Sequence, residues 1–326
     1  QVSEADLRAL FADRIGWRET CVWSKRDRRV LARRQETLGA LVLDDRIWST
    51  APINEPWCVG WLSHFMGQQA PGLRDIRATA RAMHHIGVAH GRAIQVMRDL
   101  NMSNLGAVCN FEHSLPLSDS AEDRTAATRY DGIYNRWFLG AMFKGAYPDD
   151  VLEGLGPHMP QGWQDDMDLI RQPLDWLGLN YYTCKRIAHA PGAWPNLSEH
   201  IGELPQTQMG WEICPEGLYH FLRFACDTYT GDLPLYVTEN GMANPDTPEV
   251  PDTARIDYLN RHLAQARRAI ADGVPLKGYV IWSLMDNYEW ALGYEKRFGL
   301  VHVDFETLQR QPKASYHALR AALARN

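Results

Sequence analysis

Residues 50–56 read Thr-Ala-Pro-Ile-Asn-Glu-Pro, and residues 235–241 read Leu-Tyr-Val-Thr-Glu-Asn-Gly. Each is a short, largely apolar run that delivers a glutamate, Glu55 or Glu239, at its C-terminal end. Working outward, strands are expected at Ile47–Ile53, Gly106–Phe111, Leu174–Tyr182, Leu235–Thr238 and Leu276–Leu284. These runs are near-continuous rather than alternating, as in parallel strands buried on both faces. Amphipathic stretches fall between and after them: Asp75–Leu100, Ala121–Phe143 with Ser120 as N-cap, Pro215–Thr228, Thr253–Asp272 and Lys313–Arg325. Strand and helix alternate five times, so the fold class is α/β with a parallel sheet.

Polar and aromatic groups stand where the strands end: Asn54 and Glu55, Glu112, Tyr182, Glu239 and Asn240, Asp286 and Asn287. In a (β/α)8 TIM barrel those ends converge on one mouth and form the active site. The rival, a doubly wound open sheet, usually carries a glycine-rich phosphate turn after its first strand, and no G-x-G-x-x-G occurs.

Composition narrows the function classes. The chain has 326 residues, 45% hydrophobic and 23% charged, with a net charge of −6. That balance argues against a nucleic-acid partner or an anionic membrane surface. No apolar run reaches the ~18 residues of a membrane span. Gln1–Leu10 lacks the basic and then apolar pattern of a secretory signal. The six cysteines form no C-x-x-C pair and no zinc-spaced cluster with histidine, so free thiols and a cytoplasmic location are expected. His84, His85 and His90 read as solvated or core histidines, not as metal ligands. Twelve tryptophans suit stacking on sugar rings.

The two strand-end glutamates are the sharpest chemical signal. Glycoside hydrolysis needs two carboxyl groups across one sugar ring, one donating a proton to the leaving oxygen and one acting at the anomeric carbon. The competing structural reading is a capping or ion-paired carboxylate. Either way, a glutamate at the end of a buried strand costs free energy and needs a reason.

Asn54-Glu55-Pro56 and Thr238-Glu239-Asn240-Gly241 resemble the paired signatures of glycoside hydrolase family 1, the retaining β-glucosidases and their relatives. Leu177–Thr183 (LGLNYYT), Gly210–Leu218 (GWEICPEGL) and Trp282–Trp290 (WSLMDNYEW) with Phe298-Gly299-Leu300 resemble the family too. The resemblance implies a retaining β-glycosidase, with Glu239 as nucleophile and Glu55 as general acid/base. The nucleophile is then expected to be held ionised by hydrogen bonds, and the acid to be raised by its neighbour's charge. It further implies that Asn54 bonds the sugar 2-OH and that Tyr182 donates its hydroxyl near Glu239. Trp282 would floor the ring, Glu289 would accept hydrogen bonds from the outer hydroxyls with Trp290 beside it, and Trp211 would line the aglycone side. A carboxylate at Glu289 repels a 6-phosphate, so the expected substrate is a small unphosphorylated β-glucoside or oligosaccharide. No metal or organic cofactor is implied, because carboxylates do both the proton transfer and the attack.

The N-terminal part departs from the family. In the family Glu55 belongs to the fourth strand, and at about 30 residues per βα unit three units do not fit before it. The expected organisation is a mostly helical segment over 1–44, including the basic run Lys25–Arg34, followed by a partial barrel of about five strands over 45–326. Such an arc leaves edges and interior side chains open, from which a homo-oligomer is expected. A catalytically impaired sugar-binding or structural remnant is the alternative function.

Overall fold

The computed structural model describes residues 48–245 and 252–324. The helices expected within 1–44, and the run Lys25–Arg34, lie outside the described residues. The architecture is a parallel sheet with helices packed along one side. Its strands are β1 (Gly106–Pro116), β2 (Trp176–His189), β3 (Leu197–His200), β4 (Leu235–Asn240) and β5 (Leu276–Ile281). The order is β1-β2-β4-β5, with every neighbouring pair parallel. The segment around residues 50–54 runs parallel alongside β1, bridging Thr50 to Leu105 and Asn54 to Val108. Five parallel runs therefore stand side by side, in the geometry of an incomplete barrel. A small antiparallel pair, β6 (Val301–Val303) and β7 (Arg310–Pro312), closes the C-terminal region.

The helices are α1 (Ile76–Asp99), α2 (Ala121–Asp131), α3 (Pro215–Ala225), α4 (Thr253–Ala271) and α5 (Ala314–Leu323), with shorter helical turns among them. Their starts follow from local chemistry. The Asp75 carboxylate accepts the Ala78 N–H at 2.7 Å and the Ser120 hydroxyl accepts the Asp123 N–H at 3.1 Å, each satisfying an amide that the first turn leaves free. α3 opens with Pro215, whose missing N–H costs nothing there. The main core lies between sheet and helices and includes Trp137, Leu139, Leu177, Leu179, Leu218, Phe221, Leu235 and Val237.

Three expectations change. β2 runs seven residues beyond Tyr182, because β1 continues to pair with it as far as Ile187 and its far end pairs antiparallel with β3, from Arg186–His200 to His189–Leu197. β5 stops at Ile281, and Trp282–Leu284 begin the following loop. Burial on both faces holds for the first half of β1 and β2 but not for β4 and β5. In β4, Leu235 and Val237 face the helices and are fully buried, while Tyr236 and Thr238 face the barrel interior and are only partly covered. In β5, Val280 is 55% exposed. Among the described residues neither outer run has a further β neighbour, so the interior side chains beside those edges stay partly open.

Candidate active site

The C-terminal ends of the parallel runs gather the chemistry. Glu55 follows the residue-50–54 run and keeps a ladder bond, its N–H donating to the Val108 carbonyl at 3.1 Å. Its φ is +51°, a left-handed conformation rare for a residue with a side chain and typical of functional sites. Glu239 lies near the end of β4, where Asn180 of β2 is its register partner. Gly241 follows, and there a Cβ would fall 1.8 Å from the Trp282 carbonyl oxygen, so only glycine lets β4's exit pass the loop after β5.

Asn180 ties these ends together. It is fully buried, and its amide nitrogen donates to Glu55 Oε1 at 2.9 Å and to Asn54 Oδ1 at 3.0 Å. It also hydrogen-bonds Glu239. Its own oxygen accepts the Thr238 hydroxyl at 2.6 Å, which fixes the orientation of the amide. The Tyr182 hydroxyl donates to Glu239 Oε2 at 2.6 Å, and burial raises its pKa well above the ordinary value, so it remains a donor. The Cys58 thiol donates to Glu55 Oε2 at 3.3 Å.

The electrostatics follow from three carboxyl groups converging in a poorly hydrated place. Burial, opposed by the bonds from Asn180 and Cys58, raises the pKa of Glu55. Burial and then the charge of Glu55 push Glu239 up to about 8. Burial and then Glu55 push Glu289 up to about 7. The expectation that hydrogen bonds keep Glu239 low is therefore corrected: desolvation and like-charge repulsion outweigh the donors Tyr182 and Asn180. The two carboxyls therefore resist ionising together. Full transfer of charge to Glu239 is favoured by the short Tyr182 bond.

The other expected residues are placed as follows. Asn54 is exposed at the mouth beside Glu55. Trp211 packs against Tyr182 and Phe298, with ring centroids 5.5 and 6.2 Å away. Trp282 is half-buried, and its backbone N–H donates to the Asn240 carbonyl at 2.9 Å. Glu289 and Trp290 sit on the loop after β5, where Glu289 feels the field of Glu55 and Trp290 is 69% exposed with φ +44°. Asp286 and Glu112, also at strand ends, have other partners. Asp286 is a buried hub that accepts from Arg297 at 2.8 Å, the Gly299 N–H at 2.9 Å and Lys313 at 3.2 Å. Glu112 is buried and accepts the Tyr130 hydroxyl. His84 is fully buried against Tyr147 and Asp166, His90 is buried and His85 is exposed. Among the described residues no group of three histidine, cysteine or acidic side chains is gathered as a metal would require.

Asn180, Cys58 and Thr238 escaped sequence reasoning as site residues. Asn180 carried a usable signal: an amide inside an otherwise apolar strand must find partners, and here those partners are the two glutamates.

Comparison with known proteins agrees with this geometry. The chain is 41% identical over 309 residues to β-glucosidase A of Thermotoga maritima, covering 92% of this chain and 67% of that protein. It is 41% identical over 285 residues to a β-glucosidase of an Agrobacterium species, covering 84% of this chain and 61% of that one. A solved Thermotoga maritima family 1 glycoside hydrolase, bound to a cyclophellitol analogue that mimics a transition state, superposes with a TM-score of 0.85 at 40% identity. That match covers 89% of this chain and 66% of the solved chain, so the present chain spans about two thirds of the length of its relatives. The family model described as glycosyl hydrolase family 1 matches residues 40–326, and with the parallel runs and their paired glutamates it establishes that the chain belongs to that family.

Proposed function

We propose that the chain is a retaining β-glycosidase acting on unphosphorylated β-glucosides through a covalent glycosyl-enzyme intermediate. The observation that carries this reading is that Glu55 and Glu239, distant in sequence, meet at one buried amide, Asn180. In the first step the Glu239 carboxylate attacks the anomeric carbon while Glu55 gives its proton to the glycosidic oxygen, and the aglycone leaves as an alcohol. The glycosyl ester neutralises Glu239, which removes the repulsion on Glu55 and lets it ionise. As a carboxylate, Glu55 takes a proton from water, the water oxygen attacks the anomeric carbon, and Glu239 is released. Tyr182 holds Glu239 in position, and Asn54 is assigned to the 2-OH. Trp282, Glu289 and Trp290 are assigned to the glycone and Trp211 to the aglycone side. The negative charge of Glu289 disfavours a 6-phosphate. β-Glucosidase names among the relatives support the substrate class.

Hydrolysis of a chromogenic β-glucoside tests the reading. Glu239→Gln is expected to abolish turnover. Glu55→Ala is expected to slow deglycosylation and to recover with added azide, giving a β-glycosyl azide. The second reading, a catalytically impaired sugar-binding or structural remnant, would be selected by wild-type inactivity in this assay. We also propose that the chain self-associates across its open side, where Trp48 is 71% exposed and Val280 55%.

A further inference from the structure

Thr238 stands at a break in the sheet. Leu179 of β2 pairs with Val237 of β4 and Asn180 pairs with Glu239, so Thr238 is the extra residue of a bulge. In a strictly alternating strand Thr238 and Glu239 would face opposite sides, whereas the bulge brings both to Asn180. Gly178 on the neighbouring strand makes room for the threonine, since a Cβ there would fall 2.6 Å from Thr238 Cγ2 and 2.7 Å from its Oγ1.

The hydrogen bonds at this bulge run in one direction. The Thr238 hydroxyl donates to Asn180 Oδ1 at 2.6 Å, and the Asn180 amide nitrogen donates to Asn54 Oδ1 at 3.0 Å and to Glu55 Oε1 at 2.9 Å. Glu55 alone does not fix that direction. An ionised Glu55 only accepts, but a protonated one can donate to an amide oxygen as well as accept from an amide N–H. Thr238 supplies the missing constraint. Its bond to Asn180 is the hydroxyl's one hydrogen bond among the described residues, so a reversed amide strands the hydroxyl proton in a half-buried place.

We propose that Thr238 is a positioning residue that sets the polarity of the chain Thr238–Asn180–Glu55 and so decides where the acid/base keeps its proton, a role that rests on the glycosidase reading above. With the amide N–H on Oε1, the proton of the acid form resides on Oε2, next to the weakly bonding Cys58 thiol at 3.3 Å. With the Asn54 oxygen engaged by Asn180, the N–H groups of Asn54 are left for the substrate. The titratable groups around Glu55 are Cys58 on its own segment, Cys109 of β1, Tyr134, Tyr182 of β2, Glu239 of β4 and Glu289 of the loop after β5. Replacing Glu239 by glutamine removes one coupled carboxyl and simplifies the titration of Glu55.

The test follows the Glu55 carboxyl by carbon-13 NMR in the full Glu239→Gln chain, with the signal assigned by its loss in Glu55→Gln. Adding Thr238→Val is expected to raise the Glu55 midpoint by about one pH unit, because the carboxylate loses an N–H donor and the protonated form gains an acceptor. Thr238→Ser, which keeps the hydroxyl, is expected to keep the midpoint. With Glu239 intact, Thr238→Val is expected to move the alkaline limb of kcat/KM for a β-glucoside upward by a similar amount. A Glu55 midpoint unchanged in Thr238→Val overturns the proposal, and so does an equal rise in Thr238→Ser. If Thr238→Val fails to fold, the side-chain N–H signals of Asn180, assigned by their loss in Asn180→Ala, decide instead. They are expected to move with pH in step with Glu55 wherever Thr238 is retained, and signals that stay still overturn the polarity. An inactive wild type defeats the glycosidase reading, while the titration, which needs no turnover, still decides the polarity.

Discussion

Replacing Glu239 by glutamine removes one ionisation at almost constant volume, and the structure sets what this does to stability. Burial and the charge of Glu55 raise Glu239 from 4.5 to about 8 in the folded chain. A carboxyl raised on folding binds more protons folded than unfolded within that interval, so stability falls as pH rises. Its contribution is intact below about 4.5, declines by about 1.4 kcal/mol per pH unit, and is lost once pH has passed about 8. The full span is about 5 kcal/mol, which for a chain of 326 residues is roughly 7 °C in Tm. Glu239→Gln still offers Tyr182 an acceptor but has no proton to lose. The assay is thermal unfolding of both proteins at pH 5 and pH 9 at constant ionic strength. Between pH 5 and pH 9 about 4 kcal/mol of that span is lost, so the variant is expected to gain roughly 6 °C on the wild type between the two conditions. Parallel Tm–pH curves would refute the argument that ionising this pair is paid for by the fold.

Because the charge of Glu289 helps to raise Glu239, which must be ionised to attack, Glu289→Gln is expected to move the acidic limb of the kcat/KM profile to lower pH and to narrow the preference for a neutral glucoside over its 6-phosphate; an upward move contradicts the assignment. Asp286→Asn strips the buried charge that both Arg297 and Lys313 contact and is expected to cost about 3 kcal/mol in urea unfolding; a loss below about 1 kcal/mol would make the hub dispensable. Light scattering at low micromolar concentration is expected to give a mass above 37.2 kDa, and a well-folded monomer there ends the self-association proposal.

How much of this was legible in the sequence depends on the range of the interactions involved. Leu235–Thr238 and Gly106–Phe111 announce themselves as strands because they are buried by helices on at least one side, whatever the rest of the sheet does. The ends of α1 and α2 are readable because Asp75 and Ser120 act on amides three residues away. The extension of β2 was not readable, since residues 183–189 gain their strand partners from residues 112–116 of β1 and 197–200 of β3, both distant in the chain. Glu55 and Glu239 could be singled out by residue type and position, whereas Asp286 looked equally suited and became a structural hub. Its partners Arg297, Gly299 and Lys313 arrive from later parts of the chain. The pKa of Glu239 was misjudged for a related reason. Its donors are local and visible, but the desolvation that defeats them is a property of the assembled site.

The Asp286 hub has a consequence for handling the molecule. Lys313, at the entrance of α5, is bonded both to Asp286 at 3.2 Å and, through its N–H, to the Leu300 carbonyl at 2.9 Å. Next to it, Ser315 donates its backbone N–H to Asp252 at 2.8 Å. The loop bearing Glu289 and Trp290 is therefore moored to the C-terminal helix, which lies far along the chain from the two catalytic candidates. Proteolytic nicking or trimming that removes residues 313–315 unmoors that loop while leaving Glu55 and Glu239 in place, so a clipped preparation would show altered substrate discrimination before it showed loss of the carboxylate pair. A purification tag appended after α5 leaves the mooring intact, and the C-terminal side is the place to put one.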